Sequence, residues 1–78
     1  MKSKYVIVEI AALELPIVFN PLFDHAEIAG SHKVVSAGFC HVCENTGNYS
    51  VWGKSVSLKL ESRPEDADIL DNWLEKDV

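Results

Sequence analysis

Residues 5–19 read YVIVEIAALELPIVF, and the architecture of the chain follows from them. The run from Tyr5 to Ile10 is rich in β-branched residues and apolar on both alternating faces, which is typical of a central strand covered on each side. Ala11, Ala12 and Leu13 then predict a turn into a second strand over residues 14–19. Pro16 lacks an N–H, so this second strand belongs at a sheet edge. The sequence therefore predicts an N-terminal β-hairpin.

The next segment, NPLFDHAEIAGSHK at residues 20–33, is the longest irregular stretch. It opens with Asn-Pro and closes with Gly-Ser, and both pairs favour loops. One helical turn is expected around residues 22–28. Long loops often carry function, so this segment is a candidate binding surface, with Phe23 as a contact.

Residues 34–44 and 49–60 predict a long central hairpin, joined by the turn-forming residues NTGN at 45–48. This turn predicts a register in which Glu44 faces Tyr49 and Cys40 faces Gly53. Gly53 fits either a bulge in the second strand or a separate turn. Beyond it, Val56, Leu58 and Leu60 alternate with polar residues, as expected where one sheet face meets water. The exposed row is expected to comprise Ser55, Ser57 and Lys59.

The C-terminal segment predicts an amphipathic helix that begins with a capping box between Ser62 and Glu65. An apolar stripe at helical spacing comprises Ala67, Leu70, Trp73 and Leu74, with Ile69 beside it. The opposite side carries Glu65, Asp68, Asp71, Asn72 and Glu75. We therefore expect an α+β fold, in which this helix packs on an antiparallel sheet of four or five strands.

Composition indicates one small domain over residues 1–78, with 47% hydrophobic and 24% charged residues. The net charge of −5 opposes direct binding to nucleic acid. No apolar run approaches the roughly 20 residues of a membrane-spanning helix, so no membrane partner is expected. Two cysteines are too few for a disulfide framework, and Glu9 interrupts the apolar stretch that a signal peptide needs. These features favour a cytoplasmic protein.

Cys40 and Cys43 form a C-x-x-C pair, which occurs in redox sites and zinc sites. Within a strand, His41 and Cys43 share one face and Cys40 lies on the other, so a zinc site would also need His32 or His25. The favoured interpretation is that Cys40 is a small core residue and Cys43 a surface or interface thiol. No metal or other cofactor is expected.

No catalytic motif is present, and a domain of this size offers little material for a pocket, which favours a non-enzymatic protein. Seven of the twelve acidic residues lie between Glu61 and Asp77, and such a surface could dock on a basic patch of a partner. A solvated helix face is the alternative explanation. The predicted partner contacts are the aromatic residues Phe23, Tyr49 and Trp52 and the acidic residues Asp68, Asp71 and Glu75. Trp73 is expected in the core, and Trp52 is expected to be partly exposed.

The segments HKVVSAGFC at 32–40 and GKSVSLKLESRPEDADIL at 53–70 resemble short proteins encoded by tailed phages and prophages. That group has no established activity. The resemblance implies a context in which small phage proteins bind and block host factors, including defence systems such as CRISPR nucleases.

The expected function is therefore that of a small acidic protein-binding domain, a phage or prophage accessory factor that modulates a bacterial host protein. One alternative is a zinc-binding domain that uses Cys40, His41, Cys43 and His32. Another is a homo-oligomeric structural protein, a homodimer for example, in which the edge near Pro16 or the central hairpin pairs with its own copy.

Overall fold

The computed structural model describes residues 2–74. The elements in chain order are β1 (Ser3–Ile10), β2 (Leu13–Phe19), α1 (His25–Ala29), β3 (Lys33–Val42), β4 (Tyr49–Trp52), β5 (Lys54–Ser55), β6 (Leu60–Glu61) and α2 (Glu65–Trp73). Strands β1 to β4 form an antiparallel sheet in the order β2-β1-β3-β4, and β5 pairs with β6 in a second small sheet. The predicted α+β fold with a C-terminal helix is confirmed.

The N-terminal hairpin forms as predicted, with β1 between β2 and β3. Ile10 pairs with Leu13, so Ala11 and Ala12 alone make the turn, at φ values of +53° and +65°. Two successive residues with positive φ are the signature of a type I′ turn. Pro16 lies in β2 at the edge of the sheet, where its missing N–H interrupts the row of donors that another chain could pair with.

Both faces of the sheet are covered, because the buried residues of β1 alternate between two cores. On one face, here the α2 face, the buried cluster comprises Tyr5, Ile7, Cys40 and Leu70 of α2. On the other, here the α1 face, the cluster comprises Val6, Val8 and Ala37, with Ile28 of α1 and Leu58 and Leu60 packed against it. The two-sided burial of β1 agrees with its unbroken apolar run.

The predicted register of the central hairpin is wrong by two positions. Val42 faces Tyr49 and Cys40 faces Val51. The reason lies in the turn, where the Cys43 N–H donates to the Asn48 carbonyl at 2.8 Å and the Gly47 N–H donates to the Cys43 carbonyl at 2.7 Å. The loop therefore begins at residue 44, one residue earlier than predicted, which moves every cross-strand pair by two.

The predicted strand 49–60 is also wrong, because β4 ends at Trp52 and Gly53, at φ +79°, separates it from β5. Residues 56–59 close the β5–β6 hairpin as a turn, so alternation between faces does not hold there. Val56 is 79% exposed, whereas Ser55 is buried and its Oγ accepts a hydrogen bond from the Leu58 N–H at 3.2 Å. The expected exposed row of Ser55, Ser57 and Lys59 is therefore not formed as predicted.

The N-terminus of α2 differs from the predicted capping box. Pro64 is the N-cap residue, and the Arg63 N–H donates to Oδ2 of Asp66 at 2.9 Å. The carboxylate of Asp66 thus bonds the backbone just before the helix, although Ser62 and Glu65 carry the sequence signature.

Trp73, predicted in the core, is 52% exposed, because Leu70 takes the fully buried position of the helix stripe. Ile69 and Leu74 pack beside Leu70. Within residues 2–74, neither helix is long and apolar enough to cross a membrane.

Candidate functional site

A row of aromatic rings lies across the α1 face where β1, β3 and β4 run side by side. Phe39 of β3 pairs with Lys4 of β1 and with Trp52 of β4, so the three side chains point to the same face. The Phe39 and Trp52 rings are stacked, with centroids 6.1 Å apart and planes at 25°. Trp52 is nevertheless 39% exposed, so this pair forms an apolar surface that water reaches.

Two histidines extend the row at either end. The ring of His41 lies edge-on to Trp52, with centroids 5.2 Å apart. The ring of His25 lies edge-on to Phe39 at 6.0 Å. His25 is buried at the start of α1, and its Nε2–H donates to the Gly38 carbonyl at 2.9 Å. This hydrogen bond holds the short helix α1 onto β3.

Three lysines surround these rings. The Nζ of Lys2 lies 4.7 Å from the centroid of Phe39, within the range of a cation–π contact. The Nζ of Lys4 donates to the Phe23 carbonyl at 2.9 Å, which ties the loop before α1 to β1. Lys54 follows Gly53 at the start of β5. We call the surface formed by Phe39, His41, Trp52, Lys2, Lys4 and Lys54 the aromatic–lysine face.

A cleft of about 350 Å³ opens on this face. Its lining residues are Lys4, Asp24, His25, Phe39, Lys54, Val56 and Ser57. The ring of Phe39 and the exposed side chain of Val56 supply apolar surface, two ammonium groups supply positive charge, and Asp24 supplies one carboxylate. Lys54 is shared with a neighbouring hollow of about 320 Å³ that also contains Lys59.

The positive charges of the described chain divide into two groups. Lys33 pairs with Glu9 at 3.1 Å, and Arg63 pairs with Glu14 and Asp66. Within residues 2–74, the remaining cations form no ion pair, and these are Lys2, Lys4, Lys54 and Lys59. All four lie on or beside the aromatic–lysine face, so the cations of residues 2–74 that form no ion pair lie close together, with Asp24 and Glu61 among the residues that line the same two hollows.

The predicted acidic contacts on α2 have different environments. Asp68 is exposed, as the prediction requires. Asp71 is half-buried, and its Oδ1 accepts a hydrogen bond from the Tyr49 N–H at 2.9 Å, which joins α2 to β4. Glu75 lies outside the described residues. In the described part of α2, the acidic surface is therefore smaller than the sequence indicates.

The predicted aromatic contacts do not form one group. Phe23 is 50% exposed and Trp52 is partly exposed, as predicted. Tyr49 instead packs against the core of the α2 face, opposite to the face that holds Trp52. Only Trp52 belongs to the aromatic–lysine face, with Phe23 tethered nearby through Lys4.

The structure separates the residues proposed for zinc. Cys40 is a buried core residue, as predicted, and burial raises the pKa of its thiol to about 11. Cys43 lies in the turn, where hydrogen bonds from the backbone of Thr46 and Asn45 lower the pKa of its thiol. His32 bonds the Ala29 carbonyl through Nδ1 at 3.1 Å, and His41 lies against Trp52. Within residues 2–74, no three His, Cys, Asp or Glu side chains are grouped as metal ligands.

Phe39, Lys2, Lys4 and Lys54 are site residues that were not predicted from the sequence. A signal was present, since Lys2 and Lys4 are two apart at the start of the first strand, as Phe39 and His41 are within another strand. The pairing of β1 with β3, which the sequence does not predict, brings Lys4 beside Phe39 and so next to Trp52.

Comparison with protein-family models, curated proteins and solved structures gives no match to this chain.

Proposed function

We propose that this chain is a non-enzymatic protein-binding domain whose contact surface is the aromatic–lysine face. The observation that carries the proposal is the exposed Trp52, stacked on Phe39 and bordered by lysines that form no ion pair within residues 2–74. A few residues contribute most of the binding free energy of a protein interface, and aromatic side chains are common among them. Charged residues at the rim of the interface increase the rate of association.

The polar groups of the cleft support binding rather than turnover. The Nε2–H of His25 is used in the hydrogen bond to Gly38, so this nitrogen is not directed at a substrate. Asp24 is the N-cap residue of α1, and its backbone N–H donates to Oε1 of Glu27 at 3.0 Å. The His25 ring nitrogen and the Asp24 backbone N–H therefore have structural roles, whereas general acid–base catalysis needs groups within reach of a reacting atom.

The resemblance to short proteins of tailed phages suggests the setting. We propose that the partner is a bacterial host protein in the cytoplasm and that the domain acts as a phage or prophage accessory factor. Stoichiometric inhibition of a defence protein fits a small domain that presents one contact face. No direct contact with nucleic acid or membrane is part of this proposal.

Affinity capture from a bacterial lysate tests the surface assignment. The immobilised chain is compared with its Trp52→Ser variant and with Trp73→Ser, a matched control because Trp73 is also exposed but lies on α2. We expect Trp52→Ser to abolish capture of a specific partner and Trp73→Ser to leave it unchanged, with circular dichroism verifying that both variants fold. Capture that survives Trp52→Ser, or that is lost equally in both variants, contradicts the assignment.

A further inference from the structure

We propose that the partner segment bound by the aromatic–lysine face is an acidic peptide that places an apolar side chain in the cleft. This inference rests on the proposed function and specifies the chemistry of the partner. It is carried by charge complementarity and by the shape and lining of the cleft.

The charged groups of the cleft favour an acidic segment. Lys4 and Lys54 both line the cleft and outnumber its one carboxylate, that of Asp24, and Lys2 lies over the Phe39 ring at one side of it. None of the three has a carboxylate partner within residues 2–74, although the chain as a whole is acidic. Carboxylates on an approaching segment would pair with these ammonium groups, and a basic segment would be repelled.

The apolar part of the cleft favours an apolar side chain on the same segment. Phe39 and Val56 form its apolar lining, and Val56 is 79% exposed, so an apolar side chain placed between them would remove that surface from water. A volume of about 350 Å³ lies at the lower end of the range for ligand pockets. This space suits one or two side chains of an extended segment.

Single-stranded nucleic acid fits the same surface less well. Sequence-tolerant binding of single strands uses free aromatic faces on which bases stack. Here Phe39 and Trp52 stack on each other, and Lys2 lies over the Phe39 ring. These contacts cover ring surface on which a base would otherwise stack. The net charge of −5 also opposes a phosphate backbone.

The acidic helix α2 of a second copy is also disfavoured as the occupant. Asp66 of this helix offers no free carboxylate, because it is buried in contact with Tyr5 and Arg63. Asp71 accepts the hydrogen bond from Tyr49. Within the described part of α2, Glu65 and Asp68 remain as exposed acids, and Glu65 lies 3.9 Å from Arg63.

Titration calorimetry with defined probes tests the inference. The probes are a short peptide in which Asp and Glu residues flank a central Leu-Phe pair, the same peptide with Asn and Gln in place of the acids, and oligothymidine. We expect the acidic peptide to bind about tenfold more tightly than the neutral one, which corresponds to about 1.4 kcal/mol, and to weaken as salt increases. Shifts of the Trp52 indole and Phe39 amide NMR signals locate the site.

Variants of the lysines give the second measurement. Lys4→Gln and Lys54→Gln together are expected to weaken the acidic peptide about fivefold or more, because each removes a charge beside the cleft. The control Lys33→Gln also removes one positive charge, but Lys33 is paired with Glu9 and does not line the cleft, so affinity should stay unchanged. Circular dichroism verifies that the variants fold.

Three results would overturn the inference: equal affinity for the acidic and neutral peptides, tighter binding of oligothymidine, or a dimer that the acidic peptide does not displace. The lysate experiment separates this failure from failure of the proposed function. If capture still depends on Trp52 while the acidic peptide shows no preference, the binding face stands and the partner chemistry is wrong. If capture is independent of Trp52, the proposed function fails as well.

Discussion

The hydroxyl of Tyr5 donates a hydrogen bond to Oδ2 of Asp66 at 2.5 Å, across 61 residues of chain, and both side chains are fully buried. The other carboxylate oxygen of Asp66 accepts from Nε of Arg63 at 2.9 Å, and Nη2 of Arg63 reaches Glu14 at 2.8 Å. This network joins the central strand, the edge strand β2 and the C-terminal helix. A buried carboxylate is tolerated here because a cation and a hydroxyl satisfy it.

We expect Asp66→Asn to reduce the free energy of unfolding by about 2 to 3 kcal/mol, because Tyr5 and Arg63 lose a charged acceptor in a buried site. Urea denaturation followed by tryptophan fluorescence measures this change. The matched control is Asp68→Asn on the same helix, where the carboxylate is exposed and the expected change is below about 0.5 kcal/mol. An equal loss in both variants would mean that the buried network contributes nothing specific.

Stability should fall at alkaline pH because the pKa of Tyr5 is raised, first by burial and then by the hydrogen bond to Asp66. An unfolded tyrosine ionises near pH 10, whereas folded Tyr5 stays protonated above it. The contribution of protonated Tyr5 to the free energy of unfolding is therefore complete below about pH 10. Above that pH the free energy of unfolding falls by about 1.4 kcal/mol per pH unit.

Urea denaturation at a series of pH values measures this dependence, and Tyr5→Phe provides the comparison. The variant has no hydroxyl to ionise, so its stability should fall less steeply above pH 10 than that of the wild-type chain. Parallel curves for the two proteins would show that Tyr5 is not the group responsible.

The two free cysteines should differ sharply in reactivity. Cys43 is partly exposed and its thiol has a lowered pKa because turn amides donate to the sulfur, whereas Cys40 is buried and its pKa is about 11. Since the thiolate is the reactive form, we expect iodoacetamide at neutral pH to modify Cys43 first and Cys40 only after unfolding. Intact-mass measurement with and without urea, with Cys43→Ser as the control, resolves the order. Simultaneous modification of both thiols in the folded chain would refute it.

The turn of the first hairpin should accept a stabilising change. Ala11 and Ala12 both have positive φ, a conformation that is unfavourable for residues with a Cβ and that Asn-Gly adopts readily. We expect the double variant Ala11→Asn, Ala12→Gly to gain about 1 kcal/mol in thermal or urea denaturation. Ala26→Gly on α1 should lose about 0.5 to 1 kcal/mol, because Ala26 is helical. A loss of stability in the double variant would argue against the turn geometry.

Local sequence pattern predicts an element correctly where every residue of a long stretch favours the same secondary structure. The run through Val6, Ile7 and Val8 predicts a two-sided central strand, and the structure buries it on both faces. Pro16 predicts an edge strand because the missing N–H is a property of the residue itself. The prediction that Cys40 is a core residue is confirmed for the same reason, since a small apolar side chain in such a strand packs in the core.

The errors arise where a short segment is compatible with two arrangements. The turn residues at 45–48 allow a loop that begins at residue 44 or 45, and the choice moves the register by two. The pattern of a strand is present at Val56, Leu58 and Leu60, which alternate with polar residues. The strand nevertheless ends before Gly53, which has a positive φ, and residues 56–59 form a turn. By sequence alone, Asp66 is one of several acids that a solvated helix face would explain. In the fold, Tyr5 and Arg63 contact its carboxylate.

Hydrophobic periodicity and backbone chemistry were sufficient for the α+β class, the first hairpin, the edge position of Pro16 and the C-terminal helix, because these depend on residues close in sequence. The aromatic–lysine face and the buried Tyr5–Asp66–Arg63 network required the tertiary structure. Lys4, Phe39 and Trp52 are distant along the chain and share a surface only through the register of β1, β3 and β4. Long-range pairing of strands, and with it the environment of each charge, is a property of the packed sheet that no local segment encodes.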